Sequence, residues 1–164
     1  MKYKNVKIVI LHDWLEKFAG AEKVLELILK IYPKADLFTI IDHMEKKDKN
    51  FLKNTKIKKS FIQYLPFSKK LFRYYFFLFP FAVRFLNLNK YDVIISSSHS
   101  FIKNVRKRKE QLHICYCHTP IRYSHVMKKQ YIKNYGFKNF LVKYLLNFVL
   151  TKIGKWDIAC SKEV

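Results

Sequence analysis

The sequence predicts an α/β fold built on a doubly wound parallel sheet. Two observations carry this. Short, β-branched apolar runs alternate with amphipathic helical runs along the whole chain, and polar residues cluster just after each apolar run. No internal repeat or long linker divides the 164 residues. One domain, residues 1–164, is therefore expected, with enough chain to bury a real core.

Taken in order, Val6–Leu11 reads as a buried strand, with His12 and Asp13 at its carboxyl end. After Ala19-Gly20-Ala21-Glu22, an amphipathic run from Ala21 to Tyr32 places Val24, Leu25, Ile28, Leu29 and Tyr32 at helical spacing, and Pro33 ends it. Asp36–Ile41 is a second strand. The pair with its helix forms a β-loop-α-β unit, which implies a parallel sheet and a right-handed crossover. Asp42–Lys56 is polar and Lys-rich, a surface loop with room for a turn of helix. Lys56–Phe61 is a short strand. Leu65–Leu86 is aromatic and helical, with Pro66 near its start. Tyr91–Ser96 is a strand ending in Ser96-Ser97-Ser98-His99, and Phe101–Lys109 is a short basic helix or loop. His113–Cys117 is a strand ending at His118-Thr119-Pro120. Helical stretches at Arg122–Tyr135 and Lys138–Ile153 precede a last strand, Trp156–Cys160.

Composition narrows the class. There are 33 Lys+Arg against 12 Asp+Glu, a formal charge of +21. Half the residues are hydrophobic and 17% aromatic, with only 3 Gly and 4 Pro. That is too apolar for a disordered basic tail and too poor in Gly and Pro for a fibrous or low-complexity chain. The charge itself points to nucleic acid, an anionic membrane face or phosphate-bearing substrates. Only five of the cations are Arg, the residue whose planar fork suits base and phosphate reading, so codon bias toward Lys is a further source. The basic residues are dispersed, the aromatics sit in apolar runs, and no Cys/His finger spacing appears, so a nucleic-acid-binding module is the weaker alternative. Three cysteines, Cys115, Cys117 and Cys160, cannot all pair, which fits a reduced, intracellular setting. The N-terminal apolar stretch is too short for a signal peptide.

In an open parallel sheet, ligands bind beyond the carboxyl ends of the strands. Here those ends deliver His12, Asp13 and the Gly20 loop, then Ser97, Ser98 and His99, then His118, Thr119 and Arg122, then Ser161. Gly20 before a helix can admit a phosphate to free N–H groups, or simply make a turn. His118 can donate to a sugar hydroxyl or phosphate or act in acid–base chemistry, or serve the fold alone. Arg122 can fork onto a phosphate or lie solvated. His113, Cys115 and Cys117 alternate onto one strand face, but that spacing is unlike the Cys-x₂₋₄-Cys turns of zinc sites, so no metal is expected and the thiols read as core filler.

Leu71–Leu86 is interrupted by Arg73, Pro80 and Arg84, and as a helix spans about 24 Å against about 30 Å of hydrocarbon, so it does not cross a membrane. Two readings remain. One is a core helix. The other is an interfacial helix, with Phe76 and Phe77 dipping into lipid and Lys69, Lys70, Arg73 and Arg84 meeting anionic headgroups.

Several motifs, in order, resemble the first domain of the family 4 glycosyltransferases: HDWL at His12–Leu15, GAEKVLE at Gly20–Glu26, the Pro33–Ile41 segment, YDVIISSSHS at Tyr91–Ser100, QLHICYCHTPIRY at Gln111–Tyr123 and WDIACSKEV at Trp156–Val164. The bacterial subgroup concerned builds polysaccharides, often from mannosyl donors. The resemblance implies a GT-B enzyme, in which two Rossmann-like domains face each other across a cleft. The first holds the acceptor, and the second holds a nucleotide-sugar such as GDP-mannose or UDP-hexose. Transfer retains the anomeric configuration and needs no metal or other cofactor. Carried onto this chain, Gly20 and Ala21 approach the donor, and His118 sits at the transfer point. Arg122, His99 and Lys103 serve the acceptor, and Asp13 and Trp14 line the cleft. The family's Gly-Gly pair is here Ala19-Gly20, which matters because alanine resists positive φ. The chain stops where the donor domain would begin. The expectation is thus an acceptor-side half that is inactive alone and needs that domain in cis or in trans; the further alternative is a non-catalytic interaction remnant that pairs with a separate donor-domain protein. Its acceptor is lipid-linked or an oligosaccharide. Its place is cytoplasmic, peripheral at the inner face of the plasma membrane, on an anionic membrane surface, with no nucleic-acid partner.

Overall fold

The computed structural model describes residues 6–119, 144 and 147–155. Its centre is a five-stranded, all-parallel sheet of order β3-β2-β1-β4-β5. The strands are β1 (Ile8–Leu15), β2 (Asp36–Asp42), β3 (Ile57–Lys59), β4 (Val93–Ser98) and β5 (Leu112–Cys117). This is the Rossmann-like arrangement expected, and its order reverses between β1 and β4, where such sheets open a crevice. The expected helical stretch Arg122–Tyr135, most of Lys138–Ile153, and the Trp156–Cys160 strand with Ser161 lie outside the described residues.

Both faces of the sheet are covered, so its central strands can be apolar throughout. On one face α1 (Gly20–Ile31) lays Leu25 and Leu29 on Ile10, Leu15, Leu37 and Ile95. On the other, Phe72, Phe79, Ala82 and Val83 close over Val9, Leu11, Ile41 and Ile94. Helical residues 147–155 add Val149 and Ile153 to that second cluster.

The aromatic stretch is not one helix. It runs as α2 (Ser68–Leu71), a 3₁₀ segment over Phe72–Leu78, and α3 (Phe79–Arg84). Pro80 lies in the first turn of α3, where its missing N–H has no helical partner to lose. Before α2 the backbone turns through Phe67, at φ 52. The core reading of this stretch holds for part of it, and the rest is exposed. Phe72, Phe79, Ala82 and Val83 are core, while Tyr74, Phe77, Phe81 and Phe85 are exposed. Phe76, expected at the lipid, packs instead against the core.

Opposite the crevice, the amino ends of the strands are clamped by charge. Asp36 on β2 accepts from Lys58 Nζ at 2.6 Å, Lys90 Nζ at 3.2 Å and the Tyr91 hydroxyl. Chiefly through Lys58, these bonds hold the Asp36 carboxyl well below its usual range. Burial, with help from Asp36, pushes Tyr91 up to about 12.

The edge strand β5 corrects a second expectation. Cys117 is exposed and Cys115 half-buried, so the thiols are not core filler. Their strand neighbour His113 is buried, with Ser96 Oγ 2.8 Å from its Nε2. A serine hydroxyl donating there suits a neutral ring. Burial, reinforced by Lys107, lowers the His113 pKa to about 4 from 6.5. The unfolded chain therefore takes up a proton in that interval that the native fold refuses, and stability falls as pH drops through it. The predicted loss between pH 7 and pH 4.5 is about 2 kcal/mol. Urea denaturation at pH 7 and pH 4.5 measures it, and the drop should shrink in His113→Asn. Equal drops in both proteins would rule out His113 as the source.

Candidate functional site

The crevice at the carboxyl ends of β1 and β4 is a cleft of about 610 Å³. Trp14, Gly20 and Ala21 line it from one side, and His99, Ser100, His118 and Thr119 from the other, with two cations, Lys17 and Arg73, balanced by two acids, Glu16 and Glu22. Six residues expected there are in place: Trp14, Gly20, Ala21, His99, His118 and Thr119.

Strand β1 runs four residues further than its apolar run suggested, and this places two polar side chains inside the fold. Alternation along a strand sends successive side chains to opposite faces. His12 turns toward α1. It is fully buried, with Nδ1 3.1 Å from the Ser97 carbonyl and Nε2 3.5 Å from Glu22 Oε1. Glu22 also accepts from the Ala19 N–H at 3.0 Å, closing the first turn of α1. Burial pulls the Glu22 carboxyl upward, but the hydrogen bonds from His12 and from the backbone at Glu22 and Ala19 outweigh it and hold it below its ordinary value.

Asp13 turns to the other face and is 0% exposed. Its Oδ2 accepts from Ser98 Oγ at 3.0 Å and from the N–H groups of His99 and Ser100 at 2.8 Å. Its Oδ1 accepts from Phe101 N–H at 2.7 Å and Ile102 N–H at 2.8 Å. Asp13 thus shapes the turn after β4 and does not line the cleft, which corrects the expectation. Lys103 is corrected too. It is buried, with its ammonium 3.0 Å from the Ser100 carbonyl, and is no part of the cleft wall. Arg73, expected at lipid, reaches Glu16 at 2.8 Å across the cleft mouth. Arg122 lies outside the described residues.

Ser97 links the two sides. Its carbonyl meets His12, and its hydroxyl is 2.9 Å from His118 Nε2. His118 is also fixed by its N–H to the Ser98 carbonyl at 2.7 Å. Its ring stands 4.8 Å from Tyr116, and His99 stands edge-on to Trp14 at 4.5 Å. Burial, with the neighbouring His12 and His99, lowers the His118 pKa, so the ring is neutral at pH 7. Ala19 is extended at φ −138, so the alanine in place of a second glycine carries no positive-φ strain. A Cβ built at Gly20 meets nothing within 4 Å, leaving open space over the start of α1.

Glu22 is the member of this site that sequence reasoning passed over, while Ser97, expected at the strand end, proves to be the link between His12 and His118. The signal for Glu22 was the third position of a helix, but the N-cap is alanine, so the usual Ser/Thr-x-x-Glu box is incomplete. Among the described residues, no three His, Cys, Asp or Glu side chains are grouped to hold a metal ion. Comparison with known proteins returns no match: no family model, curated protein or solved structure is significantly similar to the chain.

Two outcomes test this framework. Asp13→Asn keeps the shape but puts an N–H₂ against backbone donors, and should cost about 3 kcal/mol or more in chemical denaturation. A cost below about 1 kcal/mol would mean the turn does not depend on that carboxylate. Glu22→Gln keeps an acceptor for Ala19 but removes the charge facing His12. It should destabilise by about 1–2 kcal/mol, and Glu22→Ala by more.

Proposed function

We propose that this domain is the acceptor-side half of a retaining, nucleotide-sugar-dependent glycosyltransferase that builds cell-surface polysaccharide or lipopolysaccharide. The observation that carries the reading is the pairing in one cleft of His118, held by Ser97 and Ser98, with the open helix start at Gly20. With Nε2 engaged by Ser97, the His118 ring can meet a hydroxyl of the transferred hexose through its other nitrogen. The helix start at Gly20 and Ala21, with Lys17 nearby and Arg73 paired to Glu16, suits an oxygen-rich ligand that can both accept and donate hydrogen bonds. The motif resemblance of the His12–Leu15, Gly20–Glu26, Tyr91–Ser100 and Gln111–Tyr123 segments supports the same class. On this reading the acceptor is lipid-linked, work is done at the cytoplasmic membrane face, and a donor-binding domain must oppose the cleft.

The test joins a donor-binding domain after Val164 and follows hexose transfer from a nucleotide-sugar. The joined protein should be active, and the 164-residue chain alone should not. His118→Ala should lower kcat/KM by about 10²–10⁴ with the fold intact. Gly20→Ala should keep or raise the melting temperature, since alanine suits a helix better, while raising the donor KM. Undiminished transfer by His118→Ala, or full transfer by the isolated chain, would reject the reading.

A further inference from the structure

The outer face of the aromatic stretch is a candidate interaction surface that the cleft does not use. Leu71, Tyr74 and Phe77 are exposed and follow one another at steps of three through a 3₁₀ segment, where residues three apart eclipse. Phe81 and Phe85 continue at steps of four along α3, where residues four apart share a face. Phe67 extends the row at its start, bonded through its carbonyl to Leu71 N–H at 2.9 Å. The exposure is large: 74% at Phe67, 57% at Phe81 and 79% at Phe85. Phe72, Phe79 and Val83 on the inner side already anchor the segment to the core, so the outer row is not needed to hold it down. An exposed apolar row of this extent marks a binding surface.

Charge identifies the occupant. From Lys49 to Tyr91 the chain has ten Lys or Arg and no Asp or Glu. Lys69, Lys70 and Arg84 are exposed within the same stretch as the row. Glu16, Asp36 and Asp42, from outside this stretch, pair with Arg73 and with Lys49, Lys58, Lys59 and Lys90, which leaves the row itself bordered by the cations Lys69, Lys70 and Arg84. A negatively charged lipid surface rewards both features, because rings enter the interface while Lys and Arg meet headgroups. No helix among the described residues is long and apolar enough to cross a membrane. We propose that the row from Phe67 to Phe85, with Lys69, Lys70 and Arg84, docks this domain flat on an anionic lipid bilayer. This surface does not rest on the glycosyl-transfer reading.

The experiment is co-sedimentation of the full 164-residue chain with phosphatidylcholine vesicles containing 0 or about 30% phosphatidylglycerol, across a salt series. The chain should bind the anionic vesicles and weaken as salt rises. A net charge of +21 alone would also bind such vesicles, so the variants decide. Phe81→Ser with Phe85→Ser should lower partitioning about tenfold or more at unchanged charge, since two rings no longer insert. Lys69→Gln with Lys70→Gln should lower it several-fold, whereas Lys23→Gln with Lys34→Gln, an equal charge loss elsewhere, should change it less. All six positions are exposed, and circular dichroism with melting curves confirms the fold. Equal binding by the Phe81/Phe85 variant and the unaltered chain would overturn the proposal. So would a dimer in sedimentation velocity that this variant abolishes, because the row would then cover a second copy.

Discussion

The carboxylate of Asp13 is the constraint on which the cleft depends. It sits in the middle of the sheet with no exposure to water. An ionised carboxylate is expensive to bury unless donors replace its water. Here one serine hydroxyl and four consecutive backbone N–H groups, from His99 to Ile102, do so. The exchange works in both directions. The turn after β4 has N–H groups that no strand or helix satisfies, and Asp13 has lone pairs that nothing else fills. Because β1 and β4 are neighbours, this contact spans the point where strand order reverses. It thereby sets where His99 stands against Trp14, and so the shape of the cleft wall.

The same economy of acids runs through the fold. Asp13 and Glu22 serve the carboxyl ends of the strands, and Asp36 gathers two lysines and a tyrosine at the amino ends. Asp42, almost wholly buried, takes Lys49 at 2.6 Å and the N–H of Met44. These four are a third of the chain's 12 acidic residues. Their contacts take up Lys49, Lys58 and Lys90 as well, so the charge excess stays with the remaining Lys and Arg.

What was legible in the sequence follows from what each signal depends on. Strands β1, β2 and β4 announce themselves because central parallel strands are apolar on both faces, and Ile8–Leu11, Leu37–Ile41 and Val93–Ile95 are almost continuously so, while β5 shows only as the short run His113–Cys117. The carboxyl ends of β1, β2 and β4 were placed too early, whereas β5 ends at Cys117 as expected. Polar His12, Asp13, Ser97 and Ser98 look like loop but are strand, because each finds a buried partner that only the folded sheet provides. Gly20, Trp14, His99 and His118 could be assigned to the cleft, since strand-end position alone brings them together. The opposite fates of Asp13, a scaffold, and His118, a cleft residue, could not be told apart, because both are polar residues near strand ends. The thiols were misjudged because β5 is the edge strand of the described sheet, and an edge strand exposes residues that a central one would bury.

The aromatic stretch shows why composition alone cannot separate a core helix from a surface one. A helix that is apolar on all sides satisfies both descriptions, and only its packing distributes the residues between them. The distribution has a geometric consequence. Arg73 lies next to Tyr74 of the exposed row, yet its guanidinium reaches back to Glu16 at the mouth of the cleft. The 3₁₀ segment Phe72–Leu78 thus faces three ways: Phe72 into the core, Tyr74 and Phe77 outward, and Arg73 toward the cleft. Anything that holds the outer row also fixes the position of one cleft wall. Whatever surface meets those rings is brought to the edge of the cleft by the length of a single side chain, without a linker or a hinge between them.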